Sequence, residues 1–539
     1  MGDRLRGGLR APTLVIMRLH RGRSAVPASL LLALSLFLAG CASFSDTLTG
    51  SASSGSTASS TAPPTAAPIK WSDCNKQIQP LIAKQPGSNR NITFECGRTE
   101  VPINYSEPRG ATLPLFLVRA RLAGQTNKIG SLVVNPGGPG ASGADSAISL
   151  ALTLPDDVLK RFDLVGFDPR GVGLSTPVQC IPDSVKEQLV ESEPRPVSTQ
   201  QLDDTFAMAK KVADGCAKQY GDALGTFNTV DTARDMDQLR QSLGDQKLTY
   251  LGYSYGTTLG STYAELFPTR VRALVLDGAV DPDVTMQSDA EASAKGLETG
   301  FDAFAKNCTG LIAGCPIGTG PRQFVLNLLA KAEKAPIPSS KAGETRKATA
   351  GVVLTAVQAG LYDSGTWPQL AQALAAAQKG DSKGLFSLAD SYTGRLEDGT
   401  FSNLLDANLA INCADSKDTF TEQQVRALVP QWNAKYPLFG AGAAASLYTC
   451  SVWKAHRTPL PKRDAAGSPP ILVVGNSGDP VTPLPGAQDM AKDLTAGVLL
   501  VWQGQGHTSY PKTNCVKAAV DSYLINLKPP LNGLTCPAG

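Results

Sequence analysis

The sequence predicts an α/β fold: a doubly wound, mostly parallel sheet, interrupted before its last strands by a largely helical insertion. Three observations predict it. Short apolar runs recur at Ser131–Asn135, Phe162–Asp168, Leu248–Tyr253, Val271–Leu276, Ile471–Val474 and Val498–Trp502, each of a length that suits a strand buried on both faces. Helical periodicity separates several of them, as at Val230–Leu243, with apolar residues at 230, 233, 236, 239 and 243. From about Asp283 to Gly467 the alternation stops, leaving alanine-rich helical stretches such as Trp367–Lys379 and no clear strand. Alternating strands and helices specify a parallel sheet. An insertion at this point would lie over the carboxyl ends of the strands as a cap.

Before the core come two further segments. Residues 4–23 carry arginines at 4, 6, 10, 18, 21 and 23, and Ala28–Ala39 is an apolar run of signal-peptide length, short for a bilayer span. Met17 would head a signal of more ordinary length. The run ends Leu38-Ala39-Gly40-Cys41, which resembles the bacterial lipobox. That resemblance implies that Cys41 is lipidated and becomes the mature N-terminus, anchored to the outer face of the cell membrane; a plain secretory signal is the alternative. Ser43–Pro68 is almost wholly Ser, Thr, Ala, Gly and Pro, too poor in large apolar groups to order itself, and reads as a tether. The expected organisation is a signal over 1–40, a tether over 41–68, core over 69–283, cap over 284–468 and core again over 469–539.

The 539 residues are 42% hydrophobic and 18% charged, enough for a sizeable core. Removing the six arginines and one aspartate of residues 1–40 takes the formal charge from +3 to −2. A nearly neutral mature chain argues against a nucleic-acid partner. Beyond Cys41 there are ten cysteines, an even number that in an exported chain suggests disulfides. The sequence leaves their connectivity open, though pairing neighbours in order closes five short loops without crossing a domain boundary. No CxxC occurs and the mature chain has two histidines, so no metal is expected, and the serine chemistry read below requires no organic cofactor.

The chemistry is carried by strand ends. Leu248–Tyr253 runs into Gly252-Tyr253-Ser254-Tyr255-Gly256 and then a helix. GxSxG recurs by chance in glycine-rich chains; between a buried strand and a helix it is the nucleophile elbow of an α/β-hydrolase. Ile471–Val474 leads to Asp479 and Val498–Trp502 to His507, which completes the order Ser, Asp, His of that fold's triad. His20 leaves with the signal and His456 lies in the expected cap, so His507 is the candidate base. Ser131–Asn135 is followed by Pro136-Gly137-Gly138-Pro139-Gly140, where such a fold places one oxyanion donor; Gly137 and Gly138 are assigned to it, and Tyr255 supplies the second N–H. Asp168 and Arg170 read as a structural ion pair holding the neighbouring loop.

Taken together, ECGRTEVPINYSEP, VVNPGGPGASG, GFDPRGVGLS, GYSYGTTLGSTYAELFP, NSGDPVTP and GQGHTS resemble the secreted tripeptidyl-aminopeptidase family, capped α/β-hydrolases related to proline iminopeptidases, over roughly residues 70–539. The resemblance implies a serine exopeptidase that removes short peptides from free N-termini, with Ser254, Asp479 and His507 on the family's triad positions. Proline iminopeptidases carry a histidine before Gly-Gly-Pro-Gly where Asn135-Pro136 stands here, which favours the tripeptidyl branch. An aminopeptidase needs an acid for the substrate ammonium. Asp415, in Asn412-Cys413-Ala414-Asp415 of the cap, is the candidate, with a solvated or helix-capping aspartate as the alternative. Two rival readings are a lipase or esterase on the same fold and a catalytically idle lipoprotein that binds envelope components.

Overall fold

The computed structural model describes residues 66–280 and 284–539. The basic and apolar N-terminal stretch, Cys41 and the tether up to residue 65 lie outside the described residues. Among the described residues no helix is long and apolar enough to cross a membrane.

The described residues hold twelve strands in chain order: β1 (Ser72–Asp73), β2 (Ile92–Pro102), β3 (Thr112–Leu122), β4 (Gly130–Asn135), β5 (Phe162–Phe167), β6 (Leu248–Tyr253), β7 (Val271–Asp277), β8 (Ile337–Pro338), β9 (Lys347–Ala348), β10 (Ile471–Gly478), β11 (Gly497–Gln505) and β12 (Leu534–Cys536). Ten form one sheet in the order β1-β2-β3-β5-β4-β6-β7-β10-β11-β12. From β5 through β12 every pairing is parallel, and β1, β2 and β3 form the antiparallel edge. The six strands expected from apolar runs are all present, as β4, β5, β6, β7, β10 and β11; β1 and β12, too short to show a pattern, extend the sheet at its two edges.

Alternation along the strands builds two apolar layers. Leu132 and Val134 of β4 face one layer with the helices Gly143–Thr153 and Asn514–Asn526, while Val133 faces the other with Thr229–Ser242 and Tyr255–Leu266. Because β4 lies between β5 and β6, the chain leaves it once in each direction. The crevice at that reversal lies outside the carboxyl ends of β4 and β6.

Between β7 and β10 the chain is helical: Met286–Thr309, Pro321–Lys334, Ala350–Leu361, Trp367–Gln378, Lys383–Thr393, Leu404–Asp415, Glu422–Lys435 and Gly440–Ser446. Thr285, Thr349 and Thr421 start three of them by accepting the N3 amide, which satisfies one otherwise orphaned donor each. Two features differ from the sequence reading. The two-residue ladder of β8 with β9 lies within this region. Its apolar core also draws Leu202, Phe206 and Ala209 from the helix Thr199–Tyr220, which precedes the nucleophile. That helix is amphipathic, and periodicity identifies a buried face without identifying its partner.

Among the described residues five disulfides join the ten cysteines as neighbours in order: Cys74–Cys96, Cys180–Cys216, Cys308–Cys315, Cys413–Cys450 and Cys515–Cys536. The helical region rests on the loops that end the strands. A Cβ on Gly296 would lie 2.7 Å from the Pro480 carbonyl oxygen, and one on Gly300 would lie 2.6 Å from Pro480 Cβ.

Candidate active site

Ser254 stands at the end of β6 with φ +55 and ψ −126, a backbone conformation that non-glycine residues rarely adopt. The turn is held from both sides. The Ser254 amide donates to the Asp277 carbonyl at 2.9 Å, and the Ser254 carbonyl accepts from the Thr257 amide at 2.8 Å and its hydroxyl at 2.6 Å. The flanking glycines are sterically required. A Cβ at Gly252 would sit 2.6 Å from the Tyr250 ring, and one at Gly256 would sit 2.8 Å from the Asn135 carbonyl oxygen.

His507 follows β11 through Gly506 (φ +101). Its amide donates to the Tyr362 carbonyl at 2.6 Å, and the Tyr362 ring meets the imidazole edge-on at 5.3 Å between centroids. Nδ1 lies 3.0 Å from each oxygen of Asp479, while Nε2 is buried with no partner among the described residues. Asp479 also accepts from the amides of Val481, Thr482 and Thr508 and from the Thr482 hydroxyl. Burial alone would raise its pKa; the neighbouring His507 and these donors outweigh it and hold the carboxyl below its usual range. An ionised Asp479 fixes the proton on Nδ1 and leaves Nε2 as the basic nitrogen.

Ser254 and His507 each contact the Asp277–Gly278 turn: the Asp277 carbonyl holds the serine amide, and a Cβ on Gly278 would lie 3.2 Å from His507 Cε1. The fully buried Asp277 carboxylate accepts from the amides of Ser509, at 3.0 Å, and Tyr510, at 2.7 Å, fixing the chain just past the histidine. Burial pushes its carboxyl up to about 6 against those donors. The sequence reading missed this residue. The available signal was an acid ending the strand after the nucleophile.

The Gly137–Gly138 turn lies directly over the elbow. A Cβ on Gly137 (φ +94) would be 2.6 Å from the Tyr253 carbonyl oxygen, 2.9 Å from Ser254 Cβ and 3.0 Å from the Tyr255 amide. One assignment is corrected here. The Gly137 amide donates to Asn135 Oδ1 at 2.9 Å, so it is not free for an oxyanion. The amides of Gly138 and Tyr255 have no acceptor among the described residues and remain as the candidate pair of donors.

Two further expectations change. Arg170 does not pair with Asp168: its guanidinium grips Asp235 at 2.6 and 2.7 Å, both groups fully buried, and it also donates to the carbonyls of Pro102, Ile103 and Thr226. Asp168 instead accepts from the Ser142 hydroxyl and the amides of Ala144 and Leu174, bracing the loop that follows the glycine turn. Nor does Asp415 present a free carboxylate to an ammonium. Its oxygens accept the Thr229 amide at 2.9 Å and the Thr229 hydroxyl at 2.6 Å, so it acts as a cap on the helix Thr229–Ser242. Burial pushes its carboxyl up to about 7 against those two donors.

Comparison with known proteins agrees with the fold. Residues 130–313 match the family model described as "alpha/beta hydrolase fold", and residues 436–536 match "TAP-like protein". The chain is 35% identical over 485 residues to "Serine protease Hip1" of Mycobacterium tuberculosis (strain ATCC 25618 / H37Rv), covering 87% of this chain and 91% of that protein. It is 34% identical over 523 residues to "Carboxylesterase B" of the same strain, covering 94% and 98%. It is 29% identical over 495 residues to "Tripeptidyl aminopeptidase" of Streptomyces lividans, covering 87% and 86%.

Proposed function

This chain belongs to the TAP-like family of α/β-hydrolases and is a serine hydrolase; from that premise we propose that it is a cell-envelope exopeptidase releasing short peptides, tripeptides foremost, from free N-termini. The observation that carries the reading is a serine held at positive φ at a strand end and, at another strand end, a histidine whose Nδ1 is bonded to a buried carboxylate and whose Nε2 has no partner among the described residues. A serine hydroxyl is a weak nucleophile near neutral pH, so His507 Nε2 takes its proton as Oγ attacks the scissile carbonyl. Asp479 stabilises the imidazolium, and the Gly138 and Tyr255 amides receive the oxyanion. His507 then returns the proton to the departing amine, and water, activated in the same way, clears the acyl-enzyme. The helical cap limits how much chain can extend beyond the serine.

A cleavage-product profile on peptides with free and acetylated N-termini, run beside small esters, tests the specificity. Burying an unpaired ammonium is costly, so a site built to pair it should lose about two to three orders of magnitude in kcat/KM on acetylation, roughly 3–4 kcal/mol. Equal cleavage of both peptides rules out the aminopeptidase reading. The likeness to a protein named Carboxylesterase B favours an esterase as the second reading, and hydrolysis of esters with no peptide cleavage would establish it. Placement at the outer face of the membrane is part of the proposal and rests on Cys41 of the lipobox-like Leu38-Ala39-Gly40-Cys41. Cys41→Ala should move the protein out of the membrane fraction. An unchanged distribution, with no acyl group found by mass spectrometry, refutes the anchor.

A further inference from the structure

One helix of the cap reaches both ends of the oxyanion hole. Leu404–Asp415 seats on the glycine turn at its middle, where Asn408 Nδ2 donates to the Pro139 carbonyl at 3.0 Å. The approach is backbone to backbone. A Cβ on Gly140 (φ +101) would lie 2.8 Å from the Leu404 carbonyl oxygen and 2.9 Å from the Asn408 amide nitrogen. The course of the turn from Gly138 to Gly140 is therefore set against the helix.

At its last residue the same helix reaches the second donor. Asp415 accepts the amide and hydroxyl of the fully buried Thr229, and the Thr229 hydroxyl meets the phenol of Tyr255 in a short hydrogen bond. Thr229 has a single hydroxyl hydrogen; with Asp415 ionised that hydrogen goes to Asp415 and the phenol donates to Thr229. A directed chain, Tyr255 to Thr229 to Asp415, thus ties down the side chain of the residue whose amide faces the oxyanion.

We propose that the helix Leu404–Asp415 positions both oxyanion donors, Gly138 through Asn408 and Tyr255 through Asp415, so that seating of the cap and stabilisation of the tetrahedral intermediate are one event. The proposal rests on the oxyanion assignment above. Asn408 and Asp415 are positioning residues: neither touches the reacting atoms. Such a coupling would make the hole complete only when the cap is down on the core, and a hydrolase built this way spares acyl groups that enter an unseated site.

The test measures p-nitrophenyl acetate hydrolysis and inhibition by a peptide aldehyde. The aldehyde carbon accepts Ser254 Oγ, the hydroxyl proton passes to His507, and the resulting oxyanion occupies the hole. Asn408→Ala and Asp415→Ala should each lower kcat about tenfold at nearly constant KM and weaken the aldehyde by a similar factor. Asn408→Asp, which cannot donate to Pro139, should behave as the alanine variant. Asp415→Asn still accepts the Thr229 amide and can reverse the direction of the hydroxyl chain, and it should recover most of the loss. A structural role alone would lower thermal stability or raise KM while leaving aldehyde affinity within about twofold at constant kcat, and that result overturns the proposal. If Ser254→Ala retains activity toward the ester, the serine-hydrolase assignment fails instead, so the two failures are distinguishable.

Discussion

The two walls of the site are built in different ways. The acid–base wall hangs from the sheet: Asp479 and His507 follow β10 and β11, and every donor to Asp479 comes from those two strand-end loops. The cap touches that wall at Pro480 and through the Tyr362 carbonyl. The oxyanion wall has the sheet beneath it and a cap helix above it, with Asn408, Gly140 and Asp415 in contact. On the proposed mechanism, the groups that move the proton are bonded mainly to sheet-end loops, whereas both sides of the proposed oxyanion hole also bond to a cap helix.

The comparison can be broken first at its sheet-borne half. Asp479→Asn keeps the shape of the loop but lets the imidazole adopt the wrong tautomer, and kcat should fall about ten-thousandfold, with thermal stability changed far less. Activity within tenfold of wild type would show that another acid, Asp277 first, orients His507.

Next comes the shared half. Gly137→Ala places a methyl 2.9 Å from Ser254 Cβ, at a φ that alanine rarely adopts. Displacing the glycine turn should lower kcat by about two to three orders of magnitude, while covalent labelling of Ser254 by a fluorophosphonate slows. An unperturbed kcat would remove the turn from the oxyanion hole.

The smallest effect sharpens the contrast through pH. Asp277 has its folded pKa raised to about 6 by burial, so the folded state binds a proton more tightly than the unfolded chain, whose carboxyl titrates near 4. Its contribution to stability is therefore present below about pH 4 and is lost as pH rises through about 6, amounting to roughly 3 kcal/mol. Stability curves of wild type and Asp277→Asn should diverge between those values, wild type losing ground with rising pH. Parallel curves would mean that Asp277 stays ionised throughout.

Much of the sheet-borne half is legible in the sequence. Strands buried on both faces read as apolar runs ending in Gly, Pro or Asp, which is why Ser254, Asp479 and His507 can be placed from their neighbours alone. What escapes is pairing across long separations. Arg170 stands two residues from Asp168, yet it bonds Asp235, on a helix that packs over the same sheet. The capture of the Gly137 amide by Asn135 depends on a side-chain rotamer, which no spacing encodes. Asp415 was visible as an acid in the cap; its engagement by Thr229 requires two helices, far apart in the chain, to meet end to end.

The order of the disulfides has a consequence for biogenesis. Each bridge closes before the next cysteine in the chain is needed: Cys74 with Cys96, then Cys180 with Cys216, and so on to Cys515 with Cys536. For a polypeptide threaded N-terminus first through a translocation channel, no thiol has to wait for a distant partner, and no closed loop has to be reopened. If the proposed export holds, a simple oxidant should suffice for this order, and a disulfide isomerase would have no non-consecutive native pairing to make.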